Sequence, residues 1–242
     1  MSRGLFVTGT DTGVGKTLVA GGVAAALVAR GVDVGVAKPV ESGCLRTSNG
    51  LVPTDAAFLK RMASAPEPLE DICPVRLEAP LAPAVAAERE GVTIRLDELE
   101  AAVRSVASRH AFTLCEGAGG LYVPLDGEHG CVIDLIRRVG FPALVVGRLG
   151  LGTINHTTLT VRALQAARVD VVGVVLSQTG PERGPAEETN PAAVERLTGV
   201  PLLGVVPYLE ELGGGLEIER EALAAVIEEA LDLSIILKQY IK

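Results

Sequence analysis

Leu5-Phe6-Val7-Thr8-Gly9-Thr10-Asp11-Thr12-Gly13-Val14-Gly15-Lys16-Thr17 is an apolar run that breaks into glycines and ends on a lysine and a threonine. Leu5–Thr8 reads as a short strand, and Thr17–Arg30 as a helix stopped by Gly31. A phosphate-binding loop follows the pattern G-x-x-x-x-G-K-S/T between a strand and a helix. Here Thr10 stands at the pattern's first glycine and Gly9 sits one place earlier, so the match is a variant in the right context. The chemistry is specific. Successive N–H groups and a helix N-terminus hold anionic oxygens. Lys16 is placed to bridge β- and γ-phosphates, and the Thr17 hydroxyl to ligate Mg²⁺. Gly13, Val14, Gly15 and Leu18 complete the expected nucleotide cradle.

Outward from this loop, strands alternate with helices. Val34–Ala37 reads as a strand ending at Lys38-Pro39, and Glu41–Pro53 as a polar loop. Thr54–Ser64 reads as a helix with Thr54 as its N-cap. Pro66 to Pro83 is proline-rich and expected to be mostly irregular. Helices are expected at Ala84–Glu90, Asp97–Arg109, Cys131–Val139, Asn155–Ala167, Asn190–Leu197 and Glu217–Leu231. Strands are expected at Phe112–Cys115, Ala143–Val146, Val171–Leu176 and Leu202–Val206, and a mobile loop at Pro181–Pro191. Several strands are continuous Val/Leu runs, the sign of burial on both faces. The reading is a single α/β domain over residues 1–242, with a doubly wound, mostly parallel sheet flanked by helices. In such sheets ligands sit at the carboxyl ends of the strands.

Composition narrows the partners. Of 242 residues 48% are hydrophobic, yet there are only 4 Phe, 3 Tyr and no Trp, so Ala, Val, Leu and Ile build the core. That hydrophobic content excludes disorder, and the lack of aromatics argues against a stacking platform for single-stranded nucleic acid. A net charge of −8 opposes non-specific binding to nucleic acid or to an anionic membrane. Cys44, Cys73, Cys115 and Cys131 form no C-x-x-C pair and read as reduced thiols. The N-terminus lacks the pattern of a secretory leader, and the uncharged run Thr17–Ala29 falls short of the ~20 residues of a membrane span, so a cytoplasmic location is expected. His110, His129 and His156 form no triad with an exposed serine. The apolar tail Ile235–Lys242 is expected to pack on the chain's own core or on a partner subunit rather than to anchor at a membrane.

Three more strand-end residues carry charge. Lys38 would bring a second positive charge beside the phosphate loop; the alternative, open for a lysine taken in isolation, is a side chain that snorkels to solvent. Glu116 follows a strand directly, the position from which nucleotide-hydrolysing sheets hold Mg²⁺. The glycines of Gly117-Ala118-Gly119-Gly120 let a ligand approach the backbone. Asp55, taken alone, reads as a dipole partner in the first turn of a helix.

Taken together, these residues resemble the dethiobiotin synthetase family over nearly the whole chain. The motifs are Phe6–Thr12, Val14-Gly15-Lys16-Thr17, Lys38-Pro39-Val40 with Ser42-Gly43, Asp55, Glu116–Gly120 with Pro124-Leu125, Gly152 with Ile154-Asn155-His156, and Pro201–Gly204 with Pro207. The resemblance implies a homodimeric ATP- and Mg²⁺-dependent ligase joining CO₂ to 7,8-diaminononanoate. It implies catalytic roles for Lys16, Lys38 and Thr12, and a metal shell of Thr17, Asp55 and Glu116, which raises Asp55 above its isolated reading. It also implies diamine contacts from Thr12, Lys38 and Ser42, and a carboxylate contact from Asn155 across the dimer. Lys16→Ala and Lys38→Ala are each expected to abolish turnover and leave the fold intact. The family often places Asn-Asp after the strand Val171–Leu176, where the Asn reads adenine; here Ser177-Gln178 stand instead, and relaxed choice of base is the expectation. The segment Val205-Val206-Pro207 with Glu211 is expected beside the base and ribose.

Two other readings share the loop. A ParA/MinD-like dimerising switch carries an early lysine in its loop, and the aligned residue here is Asp11, a charge reversal. The ATPase half of a cobyrinate amidotransferase is close in fold, but this chain has no room for a glutaminase domain.

Overall fold

The computed structural model describes residues 4–127, 129–209 and 217–241. In chain order the strands are β1 (Gly4–Gly9), β2 (Val34–Ala37), β3 (Val40–Ser42), β4 (Leu45–Thr47), β5 (Gly50–Val52), β6 (Val75–Leu77), β7 (Phe112–Glu116), β8 (Ala143–Arg148), β9 (Val171–Ser177) and β10 (Leu202–Val206). The helices are α1 (Lys16–Ala29), α2 (Thr54–Ala63), α3 (Leu69–Ile72), α4 (Pro83–Glu90), α5 (Leu96–Ala107), α6 (Val132–Val139), α7 (Thr153–Ala166), α8 (Pro185–Thr198), α9 (Arg220–Ala230) and α10 (Ser234–Tyr240).

Six strands form one parallel sheet in the order β10-β9-β8-β1-β7-β2, so β1 lies inside the sheet between β7 and β8. The two-residue period of a strand sorts its side chains between two cores. Leu5 and Val7 pack under α1 and α2, while Phe6 turns to the opposite layer with α5, α6 and α7. Helix α1 is apolar on almost every side because α2 and α9 cover it. A Cβ at Gly21 would run into the Phe58 ring and one at Gly22 into Ile227, so these glycines set how closely the three helices pack.

Four expectations change in detail. The segment Glu41–Pro53 is not all loop: β3 pairs in parallel with β6, and β4 and β5 form a small antiparallel hairpin. That pairing gives part of the proline-rich Pro66–Pro83 stretch a strand, with α3 just before it. Thr54 is not the N-cap of α2; Pro53 holds that position, and the capping oxygens come from Glu41. Pro181–Pro191 is largely helical, because Pro185 takes the first position of α8, where a missing N–H costs nothing. The helix continues through Pro191 at the loss of one internal hydrogen bond.

The apolar tail forms α10 on the chain's own core, with Ile236 fully buried. Among the described residues no helix is long and apolar enough to cross a membrane. All four cysteines are free thiols.

At the amino-terminal edge of the sheet, His110 is clamped between two carboxylates. Its Nδ1 lies 2.7 Å from Asp33 and its Nε2 2.8 Å from Glu67. Burial pushes the imidazole down, but hydrogen bonds to Asp33 and Glu67 outweigh it and hold it above the ordinary histidine value. The bond to His110 holds Asp33 below the usual carboxylate range, and at Glu67 burial pushes up but the bond to His110 and its other partners outweigh it and hold the carboxyl below that range. The imidazolium therefore stabilises the fold fully below the unfolded value of about 6.5, and this contribution is lost as pH rises through the raised folded value. The two carboxylates contribute above about pH 4 and lose their share as pH falls. His110→Asn is expected to lower the urea midpoint most near about pH 6 and much less near about pH 9. An equal loss at both would show that the ring acts by packing alone.

Candidate active site

The phosphate loop joins β1 to α1 at the carboxyl edge of the sheet. Gly13 and Gly15 have φ of 72° and 91°, left-handed values that glycine adopts without strain. Gly15 is also pressed from behind: a Cβ there would lie 2.6 Å from the Ser177 hydroxyl. The loop lysine is already turned inward. Lys16 Nζ donates to the Asp11 carbonyl at 2.9 Å, and only 7% of the residue is exposed. Burial pushes its ammonium below the usual lysine value, as does Lys38, against the pull of Glu116.

The sheet register makes the central contact. Ala37 pairs with Cys115 across β2 and β7, so Lys38 and Glu116 emerge side by side one residue later. Lys38 Nζ lies 2.6 Å from Glu116 Oε1 and 2.9 Å from Asp55 Oδ2. The Thr17 hydroxyl donates to the same Glu116 oxygen at 2.9 Å. Lys38 and Glu116 side chains are 5% and 1% exposed, whereas Asp55 is 34% exposed and opens to the crevice. Burial pushes the Lys38 ammonium down, but Glu116 and then Asp55 outweigh it and keep it cationic well above the ordinary lysine range. Burial pushes the Glu116 carboxyl up, against the pull of Lys38.

Thr17, Asp55 and Glu116, separated by up to 99 residues in sequence, thus meet around one lysine. Glu116 Oε2 is buried without a hydrogen-bond partner. A buried carboxylate oxygen left bare is costly, and a cation would satisfy it. The donors are a hydroxyl and two carboxylates, hard oxygens suited to Mg²⁺. Among the described residues no group of three or more His, Cys, Asp or Glu could hold a metal. Mg²⁺ is commonly held by one or two carboxylates, and it keeps waters and takes substrate phosphate oxygens as further ligands.

The glycine segment after Glu116 folds back over the phosphate loop. A Cβ at Gly119 would lie 3.2 Å from Thr12 Oγ1, and one at Gly120 3.4 Å from the Thr10 carbonyl. Gly117 and Ala118 lead into this approach, with Gly117 N–H bonded to the Val7 carbonyl at 3.0 Å. Thr12 is exposed at the loop tip, and Ser42 is half-buried at the end of β3. Asn155 is exposed in the first turn of α7. The Asn190 amide braces the loop before α7, donating to Leu149 and Gly150 carbonyls at 2.9 and 3.0 Å.

The expected base region is more closed. Ser177 is 2% exposed, against Gly15. The Gln178 side chain ties its own loop, donating to the Gly180 and Glu182 carbonyls and accepting from Arg183. Val206 is buried in the core and its carbonyl accepts from Gln178 N–H, while Val205 and Pro207 are half-buried. Glu211 lies outside the described residues. Sequence reasoning missed Glu41: its oxygens serve a helix start 13 to 15 residues away, across the β4–β5 hairpin, and no local pattern marks that.

Comparison with known proteins shows which sequences and folds this chain is similar to. A family model described as an AAA domain matches residues 3–215. An ATP-dependent dethiobiotin synthetase BioD from Anaeromyxobacter dehalogenans is 45% identical over 93% of this chain and 99% of its own length. One from Bacillus licheniformis is 42% identical over 98% and 97%. Among solved structures, a septum site-determining protein MinD from Pyrococcus horikoshii superposes with a TM-score of 0.56 at 18% identity, covering 95% of this chain and 96% of that one. A ParA family ATPase from Chlorobium tepidum gives 0.55 at 12% identity, covering 95% and 93%. The last two likenesses show a shared fold alone.

The two site lysines differ in what holds them, so their alanine variants are expected to differ in stability. Lys16→Ala removes one hydrogen bond to a carbonyl and is expected to cost about 1 kcal/mol. Lys38→Ala leaves Glu116 buried without its cation and is expected to cost about 3–5 kcal/mol. Urea denaturation of both variants checks this; equal midpoints would refute the charge-pair account.

Proposed function

The chain belongs to the ATP-dependent dethiobiotin synthetase family, and on that premise we propose how its own residues divide the work of a biotin-forming ligase. The observation that carries the proposal is the Lys38 ammonium held between Glu116 and Asp55 at the mouth of the phosphate loop.

ATP lies with its phosphates on the N–H groups of Gly13, Val14, Gly15, Lys16, Thr17 and Leu18, where the start of α1 favours negative charge. The diamine of 7,8-diaminononanoate sits between this loop and β3, within reach of Thr12, Lys38 and Ser42. One amine adds to CO₂, loses a proton and becomes a carbamate. A carbamate oxygen attacks the γ-phosphorus, the bond to ADP breaks, and a carbamic-phosphoric anhydride forms. The second amine attacks its carbonyl carbon, expels phosphate and closes the ureido ring. ATP thus supplies the leaving group that a carbamate lacks. Lys16 and Lys38 offset charge on the transferring phosphoryl oxygens, and Lys38 also faces the carbamate. Such a reaction asks for positioning and charge stabilisation more than covalent help from the protein. Thr17, Asp55 and Glu116 would hold Mg²⁺, which supplies charge neutralisation between the phosphates.

We assign the working form to a homodimer. Exposed apolar side chains support this: Leu151 is 86%, Tyr122 70% and Leu159 61% exposed, and Leu151 and Leu159 flank Asn155. Asn155 would then meet the substrate carboxylate from the partner, at a helix N-terminus suited to an anion. A cytoplasmic setting is consistent with four free cysteines. No nucleic-acid or membrane partner is assigned. The dimerising-switch reading has only the shared fold behind it, at 12–21% identity for the ParA and MinD structures.

The assay is phosphate release with ATP, Mg²⁺, bicarbonate and the diamine. Release is expected only when the diamine is present; release without it would sink the assignment. Donor choice tests the base site. A site that reads a base by buried hydrogen bonds discriminates by about 10⁴-fold or more. With Ser177 buried against Gly15 and Gln178 tied to its own loop, ATP, GTP and CTP are expected to support comparable rates. Strict use of ATP would contradict this.

A further inference from the structure

One buried carboxylate near the site has no part in the scheme above. Glu41 sits on β3 between Val40 and Ser42 and is 4% exposed. Helix α2 begins without a side-chain cap of its own. Its first N–H groups have no partners within the helix, as at any helix start. Glu41 supplies them from another element. Its Oε1 accepts from Asp55 N–H at 3.0 Å and from the Thr54 hydroxyl at 3.4 Å, and its Oε2 accepts from Ala56 N–H at 3.0 Å. Two backbone groups of α2 are thus fixed by one carboxylate, and one belongs to Asp55, whose side chain meets Lys38 at 2.9 Å.

From this geometry we infer that Glu41 is a positioning residue that caps α2 from β3 and so aims Asp55 at Lys38 and at the metal. The inference rests on the proposed role of Asp55 as a metal ligand. Without Glu41 the first turn of α2 can fray, and Asp55 swings with it. The phosphate loop does not depend on this bond, because Lys16 and Thr17 are held by Asp11 and Glu116. Nor does Ser42, which stays in register with Leu77 through the β3–β6 pairing. Loss of Glu41 should therefore weaken the metal selectively. Carboxylates or carbonyls that orient a ligand from behind are typically worth about 10–100-fold in metal affinity.

The test measures Mn²⁺ binding as a Mg²⁺ surrogate, by electron paramagnetic resonance, on the full chain with a non-hydrolysable ATP analogue. KM for Mg²⁺ and for the diamine are measured alongside. Glu41→Ala is expected to weaken Mn²⁺ binding about tenfold and raise the Mg²⁺ KM to match, with the diamine KM unchanged. Glu41→Gln, which keeps an acceptor at the same reach, should recover part of the loss and serves if the alanine variant folds poorly. Backbone exchange at Asp55 and Ala56, read in the metal-free protein, should quicken in Glu41→Ala. In an Asp55→Ala background, Glu41→Ala should cause no further loss of Mn²⁺. Unchanged Mn²⁺ affinity in both Glu41 variants, with a loss in Asp55→Ala, would overturn the role of Glu41 while Asp55 stood. Unchanged affinity in Asp55→Ala would overturn the ligand assignment itself.

Discussion

The contact on which the rest of the site turns is the buried pair of Lys38 and Glu116, 2.6 Å apart at the carboxyl edge of the parallel sheet. Taking either charge out of water alone costs several kcal/mol, so neither residue stays there ionised without the other. The parallel register of β2 and β7 delivers both to one point. Thr17 then binds the carboxylate from α1, and Asp55 binds the ammonium from α2. Two strands and two helices are thereby tied to one charge pair, and the phosphate loop is anchored to it through Thr17.

This arrangement explains how an acidic, aromatic-poor chain can bind phosphate. The net charge of −8 describes the whole surface, whereas the crevice gathers Lys16 and Lys38 beside loop N–H groups. Neither lysine is free: Lys16 rests on a carbonyl and Lys38 on two carboxylates. Their pocket is stabilised before any ligand arrives. Preorganised charge of this kind needs no reorganisation when the phosphoryl group moves. Glycines do the remaining work, since Gly119 and Gly120 let one loop lie within van der Waals reach of the other.

Much of the layout was legible from residue types. Continuous Val and Leu runs marked strands buried on both faces, and the six-stranded parallel sheet contains every one of them. Glycine, lysine and threonine at a strand–helix junction located the phosphate loop. Lys38 and Glu116 stood out because each ends a strand, yet their contact depended on strand order, which sequence does not carry. The β3–β6 pair and the β4–β5 hairpin were hidden because each joins segments whose local patterns read as loop, and the Glu41 cap because it reaches a helix start 13 to 15 residues away. The first turns of α8, before Asn190, were obscured by Pro185 and Pro191, which punctuate a sequence more strongly than they break this helix. Asp55 illustrates the opposite case. Alone it is an ordinary first-turn acid; the family resemblance raised it to a site residue, and the lysine 2.9 Å away shows what it meets there.

The central claim is that this charge cluster transfers a phosphoryl group from ATP to a carbamate, not to water. If a carbamate oxygen attacks the γ-phosphorus and the ring then closes at its carbon, the released phosphate keeps one oxygen that came from CO₂. Turnover with ¹⁸O-labelled CO₂, sampled faster than its oxygens exchange with water, followed by mass analysis of the phosphate, reads that oxygen directly. One ¹⁸O atom in each phosphate is the expected result; phosphate free of label, released at the rate of turnover, would contradict the account.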